Sequence, residues 1–499
     1  MPSPQVLRAA ETGARLRIHP LDLVIVVSYL LGVTLLGIRF RQQQHNLNDY
    51  FLGSRSAPWW ALSFSIVATE TSTLTIIGTP AIAFSGNMTF LQLIFGYLVG
   101  RILITVIFLP GYFRGEYLTA YALIEKRFGA KMRSVAALTF LGTRALAEGV
   151  RVSAIALVIS VALGTSERLA VFIVIALTTL YTFEGGMKAV IWTDVAQFLL
   201  YLSGSLVTLA LLFHRIPGGW PEICEVAALN GHKFQVLNFS VDLATKYTFW
   251  SGVIGGTFLT LATHGTDQTI VQRLLAARCQ SDSRRALLAS GFIVLFQFTV
   301  FLLVGIFLFV FSQHTPLLAP GERADRLLPL FLVREMPMGL AGLLLASILA
   351  VAMSNASGSL NSLAASSVLD LQAVRGRASD PAQFLKISRR MTLVWGAVLI
   401  FFGLKNWGPL LEAGLSIASL PFGSLLGLFL LGTFDSRANA KSSLLGMFAG
   451  LAAVLLVYRL TAIAFTWYVL IGSLTTFIVG AVLSRVFPAQ QAANGASAR

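Results

Sequence analysis

Apolar residues run for about twenty positions at a time along this chain, and the runs end at charges, glycines and prolines. A hydrocarbon core about 30 Å thick is crossed by about 20 residues of helix, so each run predicts a membrane span. Thirteen spans follow, at 21–38, 60–83, 88–110, 135–162, 169–183, 189–213, 248–272, 285–311, 338–362, 388–404, 408–432, 441–460 and 464–485. The sizeable connections are 214–247 and 313–337, and neither reads as a folded domain. The expected fold class is an all-α integral membrane protein, with an external segment at 1–20, an additional helix at 21–38, two peripheral helices within 440–486 and a cytoplasmic tail at 487–499.

Composition agrees. Of 499 residues, 56% are apolar and 12% charged, against roughly a quarter charged in soluble domains. A soluble enzyme is thereby excluded. Lys and Arg outnumber Asp and Glu by 37 to 22, a formal charge of +15, which in a soluble protein would point to nucleic acid. Here the excess, including Lys126, Arg127, Arg273, Arg284, Arg285, Arg389 and Arg390, falls in segments on one side of the spans. The positive-inside rule then puts the N-terminus outside and the C-terminus in the cytoplasm of a multi-pass cell-membrane protein, of the prokaryotic inner-membrane type. Cys224 and Cys279 lie on opposite sides and cannot pair. There is no phosphate-binding loop of the kind an ATP-driven pump requires. No nucleophile, base and orienting group recur at workable spacing, so no enzyme is expected, and His264 reads as a structural histidine. The partners expected are the lipid bilayer and a small solute, with no nucleic acid and no obligate protein partner.

Polar residues inside spans are costly and so informative. The ionisable ones that stand out are Glu70, Arg101, Arg144, Glu148, Arg151 and Asp194, and the charges of these six sum to zero. Arg144 and Glu148, four apart on one helix face, suit an internal ion pair. In the second span, Thr69-Glu70-Thr71-Ser72-Thr73-Leu74-Thr75 precedes Gly78 and Pro80. Hydroxyls compete for backbone hydrogen bonds and proline removes a donor, so the helix is expected to unwind there and expose carbonyl oxygens to a small cation. The alternative is a Ser/Thr packing face. The ninth span carries Met353-Ser354-Asn355-Ala356-Ser357-Gly358-Ser359-Leu360-Asn361-Ser362, another line of oxygen ligands. Asp194 adds a fixed negative charge. Two oxygen-rich spans and a lone acid suit an ion-coupled transporter better than a channel.

An ordered set of motifs sharpens this. Asp49-Tyr50-Phe51-Leu52-Gly53-Ser54-Arg55 with Pro58-Trp59-Trp60 comes first, followed by Leu118-Thr119-Ala120-Tyr121 and Glu125-Lys126-Arg127-Phe128-Gly129. Tyr181 to Val190 with Trp192-Thr193-Asp194, then Gly265 to Arg273, then the ninth-span run complete it. The chain resembles the sodium:solute symporter family. That resemblance implies a five-plus-five inverted-repeat core, here 58–214 against 247–433, with a second broken helix in the seventh span at Gly252, Gly255, Gly256 or Gly265. It implies sodium as coupling ion, held by the carbonyls of Ala68, Thr71 and Val351 and the side chains of Ser354 and Asn355. Asn355 departs from the family's usual Ser or Thr. Asp194 and Ser357 match a second sodium site or its surroundings, but Gly358 lacks the hydroxyl found there, so one sodium is expected rather than two.

Function follows as sodium-coupled import of a small organic solute by alternating access. Glu70 and Ser72 match an acid and a serine of the similar proline symporters. Sugar-transporting relatives carry Gln where this chain has Thr75, and the proline symporter's Trp is Leu74 here, so neither pocket is reproduced. Glu70, Ser72, Thr75, Gln92 and Arg144 are the candidate solute residues. An arginine left unneutralised by Glu148 would partner a carboxylate, which favours an organic anion or zwitterion over the alternative, a sugar. A solute sensor or channel keeping the same fold is the reading from another class.

Overall fold

The computed structural model describes residues 19–38, 47–115, 117–163, 166–319, 321–322, 324–372, 381–405 and 410–487. The segments 1–18 and 488–499, which hold most of the expected external segment and cytoplasmic tail, lie outside the described residues. All extended elements among the described residues are helices, and a lone bridge joins Ala57 to Ala277.

In chain order the principal helices are α1 (Pro20–Ile38), α2 (Trp59–Glu70), α3 (Thr73–Ser85), α4 (Leu91–Ile107), α5 (Ala130–Leu163), α6 (Glu167–Arg215), α7 (Gly256–Gly265), α8 (Gln268–Leu275), α9 (Gln280–His314), α10 (Leu340–Gln372), α11 (Pro381–Gly403), α12 (Leu410–Phe434), α13 (Ala440–Leu460) and α14 (Tyr468–Val486). Among the described residues five stretches are each long and apolar enough to cross a membrane, within α6, α9, α10, α13 and at 465–486, and the bent pair α2 and α3 makes a sixth. Other expected spans are shorter or interrupted by polar residues. α5 carries Arg144, Glu148 and Arg151, and the seventh span is divided between two helices.

The second span breaks as its hydroxyls foretold. Thr71 and Ser72 take extended backbone angles (φ −75°, ψ 123° and φ −112°, ψ 166°), and α2 and α3 meet at 70°. Ser72 then caps α3 in a reciprocal box with Thr75: each side-chain oxygen accepts the other residue's backbone N–H, at 3.2 and 3.1 Å. The seventh span is also broken, at Thr266–Asp267, where Asp267 caps α8 by accepting the Thr269 N–H at 2.7 Å. Gly252 and Gly256 serve a different purpose. A π-helical turn at Ser251–Gly255 leads into α7, and a Cβ on Gly96 of α4 would run into the Gly252 and Val253 carbonyls. The two backbones touch without side chains between them, as in close-packed membrane helices. The expected fifth and sixth spans are two helical segments, numbered together as α6, that meet at a sharp kink at Gly186, whose φ of 55° and ψ of −156° suit glycine alone.

α10 is the hub of the bundle, packing on α1, α5, α6 and α11, while α9 backs both halves of the broken pair and α12 to α14 pack together at the side. Buried Asp22 of α1 accepts the Gly339 and Gly342 N–H groups at 2.7 and 2.8 Å, tying the additional helix to the start of α10. Part of the 214–247 connection is ordered onto the bundle. A helix at Gly219–Leu229 precedes buried Lys233, whose Nζ donates to the Phe84 carbonyl at 2.7 Å, satisfying the C-terminal end of α3. Burial holds the Lys233 ammonium below its usual pKa.

Candidate functional site

The unwound turn at Thr71–Ser72 faces the polar run of α10, and one side chain joins them. Asn355, 2% exposed, donates its Nδ2 to the Thr71 carbonyl in a very short contact and to the Val351 carbonyl at 3.0 Å. Two of the three carbonyls expected to hold a cation therefore converge, with the Asn355 amide nitrogen between them. The Thr71 hydroxyl points the other way. It donates to the Val67 carbonyl at 2.8 Å and accepts from Gln297 of α9 at 2.8 Å and Tyr201 of α6 at 3.3 Å. Tyr201 and Gln297 clamp the break, and neither was singled out in the sequence, although Gln297 interrupts an otherwise apolar run.

Asp194 is not the lone acid expected. Its Oδ2 accepts from Ser65 at 2.6 Å and from Arg273 Nη2 at 2.8 Å, and its Oδ1 from Ser354 at 2.8 Å. Arg273, counted in the sequence among cytoplasmic loop charges, is 1% exposed in the core. Its Nε donates to Ser65 and its Nη1 to the Thr269 carbonyl, both at 2.8 Å. Gly358 is part of this arrangement, since a Cβ there would stand 2.7 Å from Arg273 Nη2. Ser357 turns to its own helix, donating to the Ser354 carbonyl at 3.0 Å.

On the other side of the break lies a cavity of about 260 Å³, lined among others by Glu70, Ser72, Thr75, Arg144, Arg151, Tyr247 and His264. Four of the five candidate solute residues line it, Glu70, Ser72, Thr75 and Arg144. Gln92 does not. Its side chain donates to the Thr89 and Tyr247 carbonyls and accepts the Asn238 N–H at 2.9 Å, so it fastens the external connection. Ser72 and Thr75 have their hydroxyls turned to each other in the capping box. Glu70 pairs with Arg101, and His264 Nε2 stands 3.2 Å from Arg101 and 3.4 Å from Glu70, so the histidine belongs to the cavity wall.

α5 supplies the opposite charge pattern. Glu148, 1% exposed, faces two arginines, Arg151 Nη1 at 3.2 Å and Arg144 Nη2 at 3.5 Å, and also accepts from Ser359 at 2.9 Å. Arg144 Nε donates to Ser359 at 2.8 Å, while its buried Nη2, within ion-pair distance of Glu148, makes no hydrogen bond. The Arg144–Glu148 pair expected from spacing is present, with a second guanidinium added to the same carboxylate.

Relatives agree with this chain over nearly its whole length. It is 31% identical over 484 residues to the sodium/sialic acid symporter SiaT of Proteus mirabilis, covering 94% of this chain and 96% of that one. It is 32% identical over 468 residues to the human sodium/iodide cotransporter, covering 90% of this chain and 71% of the relative. Among solved structures, a sodium-coupled sialic acid symporter in a substrate-bound, outward-open state superposes with a TM-score of 0.86 at 29% identity, covering 95% of this chain and 99% of that one. The model of the sodium:solute symporter family matches residues 50–450, and the chain belongs to that family.

Proposed function

We propose that this transporter imports a small organic anion together with one sodium ion. Sodium-coupled symport follows from the family, and no enzyme activity is assigned. The observation carrying the anion is that Arg144 and Arg151 share a single carboxylate, Glu148, at the wall of the cavity. Those three charges leave one positive in excess on this wall, with Asp267 also in the cavity lining, and a guanidinium presents a fork suited to a carboxylate. Arg144 Nη2 is held to Glu148 only by an ion-pair contact at 3.5 Å, without a hydrogen bond, which leaves its hydrogen-bonding capacity unused. The substrates named for the relatives, a sialic acid and iodide, support the same charge class.

The sodium would be held by the Ala68, Thr71 and Val351 carbonyls with Ser354 and Asn355. The convergence of two of those carbonyls supports this assignment. Arg273 already neutralises Asp194, which supports one ion rather than two. The breaks at Thr71–Ser72 and Thr266–Asp267 lie near the start of residues 58–214 and 247–433, which supports reading these as the two inverted repeats. The N-terminus is placed outside and the C-terminus in the cytoplasm, on the loop charges.

Uptake into proteoliposomes under an inward sodium gradient tests the reading. Organic acids compete for transport while neutral sugars do not, and Arg144→Gln raises the half-saturating acid concentration at least about tenfold, as for a lost charged hydrogen bond. Ser354→Ala removes sodium stimulation. Equal competition by neutral sugars would overturn the anion assignment, and undiminished sodium stimulation in Ser354→Ala would overturn the ion site.

A further inference from the structure

Asn355 joins the break between α2 and α3 to α10, and its hydrogen bonds fix which end of its amide faces the break. The Nδ2 group lies against the Thr71 and Val351 carbonyls, and the Oδ1 on its other side accepts from Arg151 Nη1 at 3.3 Å. Two acceptors on one side and a donor on the other leave one orientation of the amide satisfied. The –NH2 group thus presents positive hydrogens to the oxygens assigned to the ion. Arg151 reaches both compartments: it lines the solute cavity, and with Asn355 it lines a crevice of about 10 Å³ behind the break.

We propose that the Asn355 amide is an internal substitute for sodium, held in place by Arg151, and that engaging Arg151 from the cavity releases it. This rests on the sodium-site reading above. Without the ion, the amide joins the Thr71 carbonyl of the break to the Val351 carbonyl of α10 and closes α2 and α3 onto α10. Sodium needs oxygen at that place, so it displaces Nδ2, and the amide turns to offer Oδ1. While Arg151 donates to Oδ1, that turn costs a hydrogen bond. A carboxylate arriving in the cavity draws Arg151 away and removes the cost. The solute therefore tightens sodium binding, and by reciprocity sodium tightens solute binding. Arg151 and Asn355 act as positioning residues that connect the two sites.

The test needs no solute. The melting temperature of the purified transporter in detergent is followed against sodium chloride, with choline chloride holding ionic strength constant. Asn355→Ser, which replaces the amide N–H group at the Thr71 carbonyl by a shorter hydroxyl able to accept as well as donate, lowers the half-saturating sodium concentration about tenfold. Arg151→Gln lowers it in the wild-type background but has no further effect in Asn355→Ser. An unchanged or raised half-saturating concentration in Asn355→Ser overturns the substitute role. An equal effect of Arg151→Gln in both backgrounds means that Arg151 acts through its charge alone and overturns the connection. If neither the wild type nor Asn355→Ser responds to sodium, the ion site itself is misplaced and the failure belongs to the earlier reading. Should Asn355→Ser not fold, Asn355→Thr carries the same comparisons.

Discussion

At the scale of single residues, the most consequential pair is Arg273 and Asp194, 1% and 0% exposed and 2.8 Å apart. Removing one member of a buried pair strands the other, at a cost of about 3–5 kcal/mol. Arg273→Met is therefore expected to lower the melting temperature sharply or prevent folding, and adding Asp194→Asn to restore much of the loss. A thermal melt of the single and double variants reads this directly. Asp194 was legible because an acid in an apolar run is conspicuous. Its partner was not, because the charge-rich end of the seventh span looks like the start of a loop, and nothing local shows that α8 turns Arg273 inward. The same limit hid Tyr201 and Gln297. Hydropathy reports depth along a span, whereas which residues meet across the bundle depends on how each helix is rotated about its own axis.

At the scale of elements, both breaks could be anticipated, but for reasons of different quality. The first coincided with the hydroxyl cluster, whose Ser72 and Thr75 side chains replace the backbone bonds that the break gives up. The second was sought at glycines, and it fell just past Gly265, at Thr266–Asp267. Gly252 and Gly256 instead let α4 and α7 pack backbone to backbone. Glycine in a span marks close approach as readily as weakness, and sequence alone does not separate the two. Gly96→Val should cost about 1–3 kcal/mol by forcing the helices apart. Gly32→Val, where a Cβ meets nothing within 4 Å, serves as the control whose melting temperature stays unchanged.

Across the whole molecule, the formal charge of +15 says little about solute, because most Lys and Arg residues lie outside the middle of the apolar runs, as the positive-inside rule leads one to expect of a membrane protein. Among the described residues, the charges inside the bundle named above are mostly paired. Glu70 has Arg101, Asp194 has Arg273, and the local excess is at Arg144, Glu148 and Arg151. The all-helical membrane architecture and the family were legible in the chain, since apolar run length and ordered motifs survive without knowledge of contacts. The identity of the solute was not, since the cavity draws its walls from helices far apart in sequence.

The Arg273–Asp194 pair also bears on the energetics of the proposed symport. With its guanidinium where a second cation would otherwise find a carboxylate, it supports the proposed ratio of one sodium per solute. One sodium and a singly charged anion together carry no net charge, so the membrane potential, worth about 2.3 kcal/mol per charge per 100 mV, contributes nothing to their accumulation. The concentration ratio of solute then follows the sodium ratio alone, about 1.4 kcal/mol for each factor of ten. In proteoliposomes, a potassium diffusion potential imposed with valinomycin is expected to leave the final accumulation of a monovalent acid unchanged. A potential-dependent plateau would show a second positive charge moving with the solute.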